Sequence, residues 1–124
     1  MPASEAANVI VTHDAMLGDI LTDSDGMTLY VFTKDTPEES TCTDTCAENW
    51  PPLTIGDEAT PTAGEGVTAK LGMIVRSDDG MAQITVNGMP VYYYAKDMAV
   101  GDTAGQGVNS AWYVLDPAGN MIQK

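Results

Sequence analysis

Two aspartates close matching aromatic runs, and they are the residues best placed for polar chemistry. Tyr30-Val31-Phe32-Thr33-Lys34-Asp35 and Tyr92-Tyr93-Tyr94-Ala95-Lys96-Asp97 share one order: tyrosine, spacer, aromatic, two spacers, aspartate. A carboxylate so placed either fixes the following loop by accepting backbone N–H bonds or helps hold a cation beside the tyrosine hydroxyl. Tyr30, Phe32, Asp35, Tyr92, Tyr94 and Asp97 are therefore a candidate motif, structural or binding. Trp50 and Trp112 are the expected core plugs beside it. Cys42 and Cys46 form a second set, with three residues between them. Two cysteines and one histidine fall short of a four-ligand zinc site, and the spacing is not that of a thioredoxin-like pair. A disulfide is expected, worth about 2 kcal/mol by loop entropy, and it implies an oxidising compartment.

Soft metal ligands are the third set. His13, Met27 and Met89 are candidates for copper, although a methionine after a turn glycine also folds over a core edge, and a lone histidine at a strand end is also a surface residue. Asp23 and Asp25 are candidates for calcium, without the twelve-residue loop of an EF-hand. No catalytic set assembles: there is one histidine and no Gly-x-Ser-x-Gly elbow. Asp78 and Asp79 are neighbours, so on a strand they point to opposite faces. A carboxylate-based hydrolase is the only enzyme the composition allows. The chain is expected not to be one.

The elements that must carry these residues come in two copies. Gly26 to Asp35 is repeated by Gly88 to Asp97, an offset of 88 − 26 = 62. Gly18 with Gly80, Trp50 with Trp112 and Leu53 with Leu115 keep that offset without a gap. Such register marks a tandem duplication. Asp25-Gly26 and Asn87-Gly88 are hairpin dipeptides between strand-like runs. The returning strands put Tyr30 and Phe32 on one face and Leu29 and Val31 on the other; both faces are apolar, as in a strand covered on both sides. Trp50-Pro51-Pro52-Leu53 reads as an edge or turn, because proline cannot donate to a ladder, whereas Trp112 to Leu115 reads as a strand. Met121 to Gln123 is a short closing strand, and no amphipathic helix is visible. The expected fold is all-β: two tandem antiparallel repeats with pseudo-twofold symmetry, packed as a small sandwich or barrel around one shared core. Residues 1–8 read as a tether and 9–124 as a single domain, with repeats at about 9–56 and 71–118 and a linker at 57–70. Strand exchange between the halves is one of the pairings left open.

Composition narrows the partners. The chain has 124 residues, 44% of them hydrophobic, and a net charge of 5 − 18 = −13. That suits one globular domain and opposes binding to nucleic acid. No transmembrane segment is visible, and any export signal is read as already removed.

The motif and its flanks resemble a known family. Tyr30-x-Phe32-x-x-Asp35 and Tyr92-x-Tyr94-x-x-Asp97, with Cys46-Ala47-Glu48-Asn49-Trp50-Pro51-Pro52-Leu53 and Gly105-Gln106-Gly107-Val108, look like the secreted repeat of unknown function, whose members are often predicted lipoproteins. The resemblance implies export, a two-repeat module and, for many members, a lipid-anchored precursor; it implies no reaction. The expected role is an extracytoplasmic, non-catalytic binding or surface module for an unknown protein or small ligand. A copper-handling or redox accessory protein is the alternative.

Overall fold

Strands form where β-branched and aromatic residues run together. The computed structural model describes residues 9–14, 17–23, 26–35, 45–55, 61–64, 66–76, 80–99 and 102–122. The expected tether, Asp25 and Cys42 lie outside them. The elements in chain order are β1 (Ile10–Asp14), β2 (Gly18–Thr22), β3 (Tyr30–Phe32), α1 (Thr45–Asn49), β4 (Thr54–Ile55), β5 (Leu71–Val75), β6 (Ala82–Val86), β7 (Met89–Tyr92) and β8 (Trp112–Val114). A 3₁₀ turn, Val108–Ser110, leads into β8.

The fold is all-β, built of two antiparallel repeats in two sheets, with no closed barrel among the described residues. One sheet is the β1–β2 hairpin. The other runs β4-β6-β7-β3-β8, with β5 on the far edge of β6. Its centre is the β3–β7 pair, where Tyr30 lies opposite Tyr92 and Val31 opposite Val91. The two equivalent tyrosines thus face each other across the approximate twofold axis.

Each repeat lends its last strand to the other. β8 pairs with β3, placing Trp112 opposite Phe32, Tyr113 opposite Val31 and Val114 opposite Tyr30. In the other direction Pro52 bridges Tyr92, and the Tyr93 N–H donates to the Pro51 carbonyl at 2.7 Å. The prolines accept but cannot donate, so this side is a thin edge rather than a full strand. The flanking bonds match pairwise. Thr33 N–H donates to Ala111 C=O and Ala95 N–H to Asn49 C=O, both at 2.8 Å. Asp35 N–H donates to Phe32 C=O and Asp97 N–H to Tyr94 C=O, both at 3.0 Å.

Alternation along β3 and β7 makes two cores, one on each face of the sheet. Leu29, Val31 and Val91 join Val9, Leu21, Leu53, Ile84, Val86 and Leu115 in an aliphatic core. Tyr30 and Tyr92 join Ile20, Trp50, Ala111, Trp112 and Val114 in an aromatic one, with Phe32 and Tyr94 against it. Both belong to the two repeats jointly. A buried polar bridge joins β6 to β7: the Arg76 guanidinium donates to Gln83 Oε1 at 2.8 Å, and Gln83 Nε2 donates to the Val91 carbonyl at 2.9 Å.

Local differences from expectation have local causes. Asn87 and Gly88 adopt φ of 52° and 88°, the paired positive values of the expected type I′ turn. The first hairpin is longer. Thr22 bridges Thr28, Gly26 N–H donates to Asp23 C=O, and the Asp23 carboxylate takes the Met27 N–H at 2.9 Å. That side chain closes a wider loop than a two-residue turn. One helix is present where none was expected. α1 is a single turn, too short for a periodic signal, and it ends with Trp50 N–H donating to Cys46 C=O at 2.8 Å. Of the expected closing strand, Met121 bridges Leu115 and the Ile122 N–H donates to the Val114 carbonyl at 2.9 Å, while Gln123 lies outside the described residues.

Candidate functional site

The motif residues meet on the aromatic face, and they meet crosswise. Tyr30 donates its hydroxyl to Asp97 Oδ2 at 2.7 Å, 67 residues away. Tyr92 donates to Asp35 Oδ2 at 2.5 Å, 57 residues away. Each tyrosine bonds the aspartate of the opposite repeat. Both tyrosines are fully buried, and both aspartates are buried. This follows from the strand exchange, since β3 and β7 are adjacent and antiparallel and the end of each points toward the loop of the other.

The rings repeat the symmetry. Trp50 and Trp112 stack with centroids 3.7 Å apart and planes 1° from parallel. Tyr94 stacks on Trp50 at 4.0 Å and Phe32 on Trp112 at 4.3 Å. Tyr30 meets Trp50 edge-on at 5.5 Å and 80°, and Tyr92 meets Trp112 at 5.2 Å and 86°. The order Tyr94, Trp50, Trp112, Phe32 is one continuous stack across the axis. The tryptophans are thus a shared spine rather than one plug for each half.

The loop after β7 locks one end. Ala104 N–H donates to Asp97 Oδ1 at 2.9 Å and Gly105 N–H to the Tyr30 hydroxyl at 3.1 Å. Gly105 has no room for a side chain: a Cβ there would lie 2.8 Å from the Trp50 ring and 2.9 Å from that of Tyr30. Gly105→Ala is expected to cost about 1–3 kcal/mol through overpacking, read as a lower midpoint in denaturant at unchanged slope. The packed rings are the reason this position is small.

Burial shifts the titration of the Tyr30–Asp97 pair. Desolvation pushes the Asp97 carboxyl above its ordinary value, against the lowering effect of the Tyr30 and Ala104 hydrogen bonds, and nearby Asp102 raises it further. Desolvation and the bond to Asp97 push the Tyr30 phenol upward as well. Raised folded values fix the sign. The Asp97 contribution is fully present below the unfolded carboxyl value of about 3.9 and is lost as pH rises through the folded one. The Tyr30 contribution is lost above the unfolded phenol value of about 10. The melting temperature is therefore expected to fall as pH rises from about 4 through the raised Asp97 value, and to fall again at strongly alkaline pH. Asp97→Asn should flatten the acid-side rise in melts at constant ionic strength; an unchanged slope would remove Asp97 from the effect.

Two clefts open near these elements. One of about 250 Å³ is lined by Asn49, Trp50, Tyr94, Lys96 and Val108. It lies at the Tyr94 end of the ring stack, with Lys96 exposed. The other, about 410 Å³, is lined by Met73, Ile74, Val75, Gly80 and Ala82 on β5 and the approach to β6. Among the described residues no titratable group lines it.

The remaining candidates are dispersed. His13 is exposed on the β1–β2 hairpin, its Nδ1 3.1 Å from Asp19. Met89 packs against the aliphatic core, and Met27 is half-buried. Asp23 already accepts from Met27 N–H on one oxygen and from the Tyr93 hydroxyl on the other, at 2.7 Å. No group of three or more His, Cys, Asp or Glu able to hold a metal occurs among the described residues. Cys46 lies in α1, half-buried against the aromatic core. No helix among the described residues is long and apolar enough to cross a membrane.

The model of the secreted repeat of unknown function matches the chain twice, at residues 11–54 and 73–116, starts that are 73 − 11 = 62 apart. The chain belongs to this family. Each match contains one tyrosine, one aspartate and one tryptophan of the crossed cluster, so two secreted repeats together build it. No curated protein and no solved structure matches the chain.

Proposed function

We propose that this pair of secreted repeats is a non-catalytic, extracytoplasmic binding module, with the Tyr94–Lys96 cleft as its site. The supporting observation is the stack itself: its Tyr94 end lines a cleft beside a lysine, in a chain with only 5 basic residues against 18 acidic ones. Such a surface suits a small ligand with a flat or ring-shaped face, which extends the stack, and an acidic group, which pairs with Lys96. Asn49 adds a hydrogen-bonding side chain at the same wall. Titration with benzoate and glucuronate, followed by tryptophan fluorescence and by the Tyr94 ring signals in NMR, checks this. Saturable shifts lost in Tyr94→Ala and Lys96→Glu are expected. Shifts that persist in both variants, or none with either probe, would remove the cleft as the site.

The Cys42–Cys46 bridge belongs to the same proposal. No free cysteine occurs among the described residues, and a bridge ending on Cys46 would brace the turn that delivers Trp50. A thiol count under denaturing, non-reducing conditions should find none.

A further inference from the structure

The two indoles form a close parallel stack. Trp50 and Trp112 lie with centroids 3.7 Å apart and planes 1° from parallel, and Tyr94 and Phe32 continue the stack at either end. Close overlap of this kind suits a positive hole, because the charge spreads over both indoles. Two phenols approach the pair edge-on. Each already donates its proton toward a buried carboxylate, at 2.7 and 2.5 Å.

We infer that this six-ring cluster is a one-electron redox site: the indole pair takes up one oxidising equivalent, and Tyr30 or Tyr92 holds it as a neutral radical. The step balances. An outer-sphere one-electron oxidant, a high-valent metal centre by class, removes one electron from the Trp50–Trp112 pair and is itself reduced by one. Tyr30 returns an electron to the indoles, and its phenolic proton moves to Asp97 Oδ2, leaving a tyrosyl radical beside a neutral carboxylic acid. Tyr92 and Asp35 offer the same step across the axis. A thiolate reverses it: it gives one electron and becomes a thiyl radical, and the proton on Asp97 returns to the phenol. Tyr94, at the cleft, is where the oxidant has access. Burial strengthens Asp97 as a proton acceptor, and the Gly105 N–H steadies the Tyr30 oxygen.

The test is flash oxidation of the full chain with a photogenerated ruthenium(III) polypyridyl, followed by transient absorption and electron paramagnetic resonance. An indole radical should form first and decay into a tyrosyl radical, and that transfer should slow in D₂O. The Tyr30→Phe/Tyr92→Phe variant keeps every ring, and its fold is checked by near-ultraviolet circular dichroism. It should lose the tyrosyl signal and leave the hole on the indoles, while Tyr113→Phe should change nothing. A tyrosyl signal surviving the double variant would overturn the inference. So would a transfer in the unaltered chain that is insensitive to D₂O, which needs no variant to observe.

Discussion

Trp112→Ala is expected to destabilise the chain by about 3–5 kcal/mol, a fall in melting temperature on the order of 10–20 °C. The indole touches rings on three sides: Trp50 and Phe32 on its faces and the Tyr92 edge. Its loss opens a cavity on the shared axis, where both repeats border it and neither can close it alone. Trp50→Ala should cost a similar amount, because Trp50 has the matching neighbours Trp112, Tyr94 and Tyr30. The two losses should not add. Once one indole is gone, the other has lost its largest partner, and contacting residues couple. Denaturant unfolding of both single variants and the double variant reads this directly. Full additivity would mean that the stack contributes nothing as a unit.

Asp97→Ala is expected to cost about 2–4 kcal/mol. It removes the acceptor of the buried Tyr30 hydroxyl and of the Ala104 N–H, and unmade bonds of buried donors carry the desolvation cost in full. The loss is partly offset because the buried charge disappears with the side chain. Asp97→Asn should cost roughly half as much: the amide oxygen still accepts from Tyr30, but its NH₂ group now faces the Ala104 donor. Thermal melts of the two variants at pH 7 give the order. Equal costs would mean that the carboxylate charge, and not the paired geometry, carries the effect.

Much of this was legible from residues alone. The offset of 62 residues exposed the duplication, and the period-two alternation of Leu29, Tyr30, Val31 and Phe32 placed side chains correctly on two faces. Asn87-Gly88 announced its turn because only residues tolerant of positive φ fit there. The partner of each motif was not legible. A tyrosine and an aspartate five residues apart look like a local pair, and nothing in either repeat says that the bond goes to the other copy. That choice is made by strand order, a property of the whole chain: β3 and β7 pair in the middle, so each strand end reaches the opposite loop. The stacked indoles were hidden for the same reason, since Trp50 and Trp112 are 62 residues apart. Trp50-Pro51-Pro52 reads as no ordinary strand, because its two prolines can accept hydrogen bonds but not donate them. The cleft at Tyr94 depends on how that edge ends, which no spacing rule encodes.

The crossed bonding of the two repeats is best tested by four double-mutant cycles, combining Tyr30→Phe and Tyr92→Phe each with Asp35→Ala and Asp97→Ala. Stability should show coupling of at least about 1 kcal/mol for Tyr30 with Asp97 and for Tyr92 with Asp35, and additivity within about 0.5 kcal/mol for the pairs inside one repeat. Coupling of Tyr30 with Asp35 and of Tyr92 with Asp97, with the crossed pairs additive, would contradict the exchange of strands between the halves.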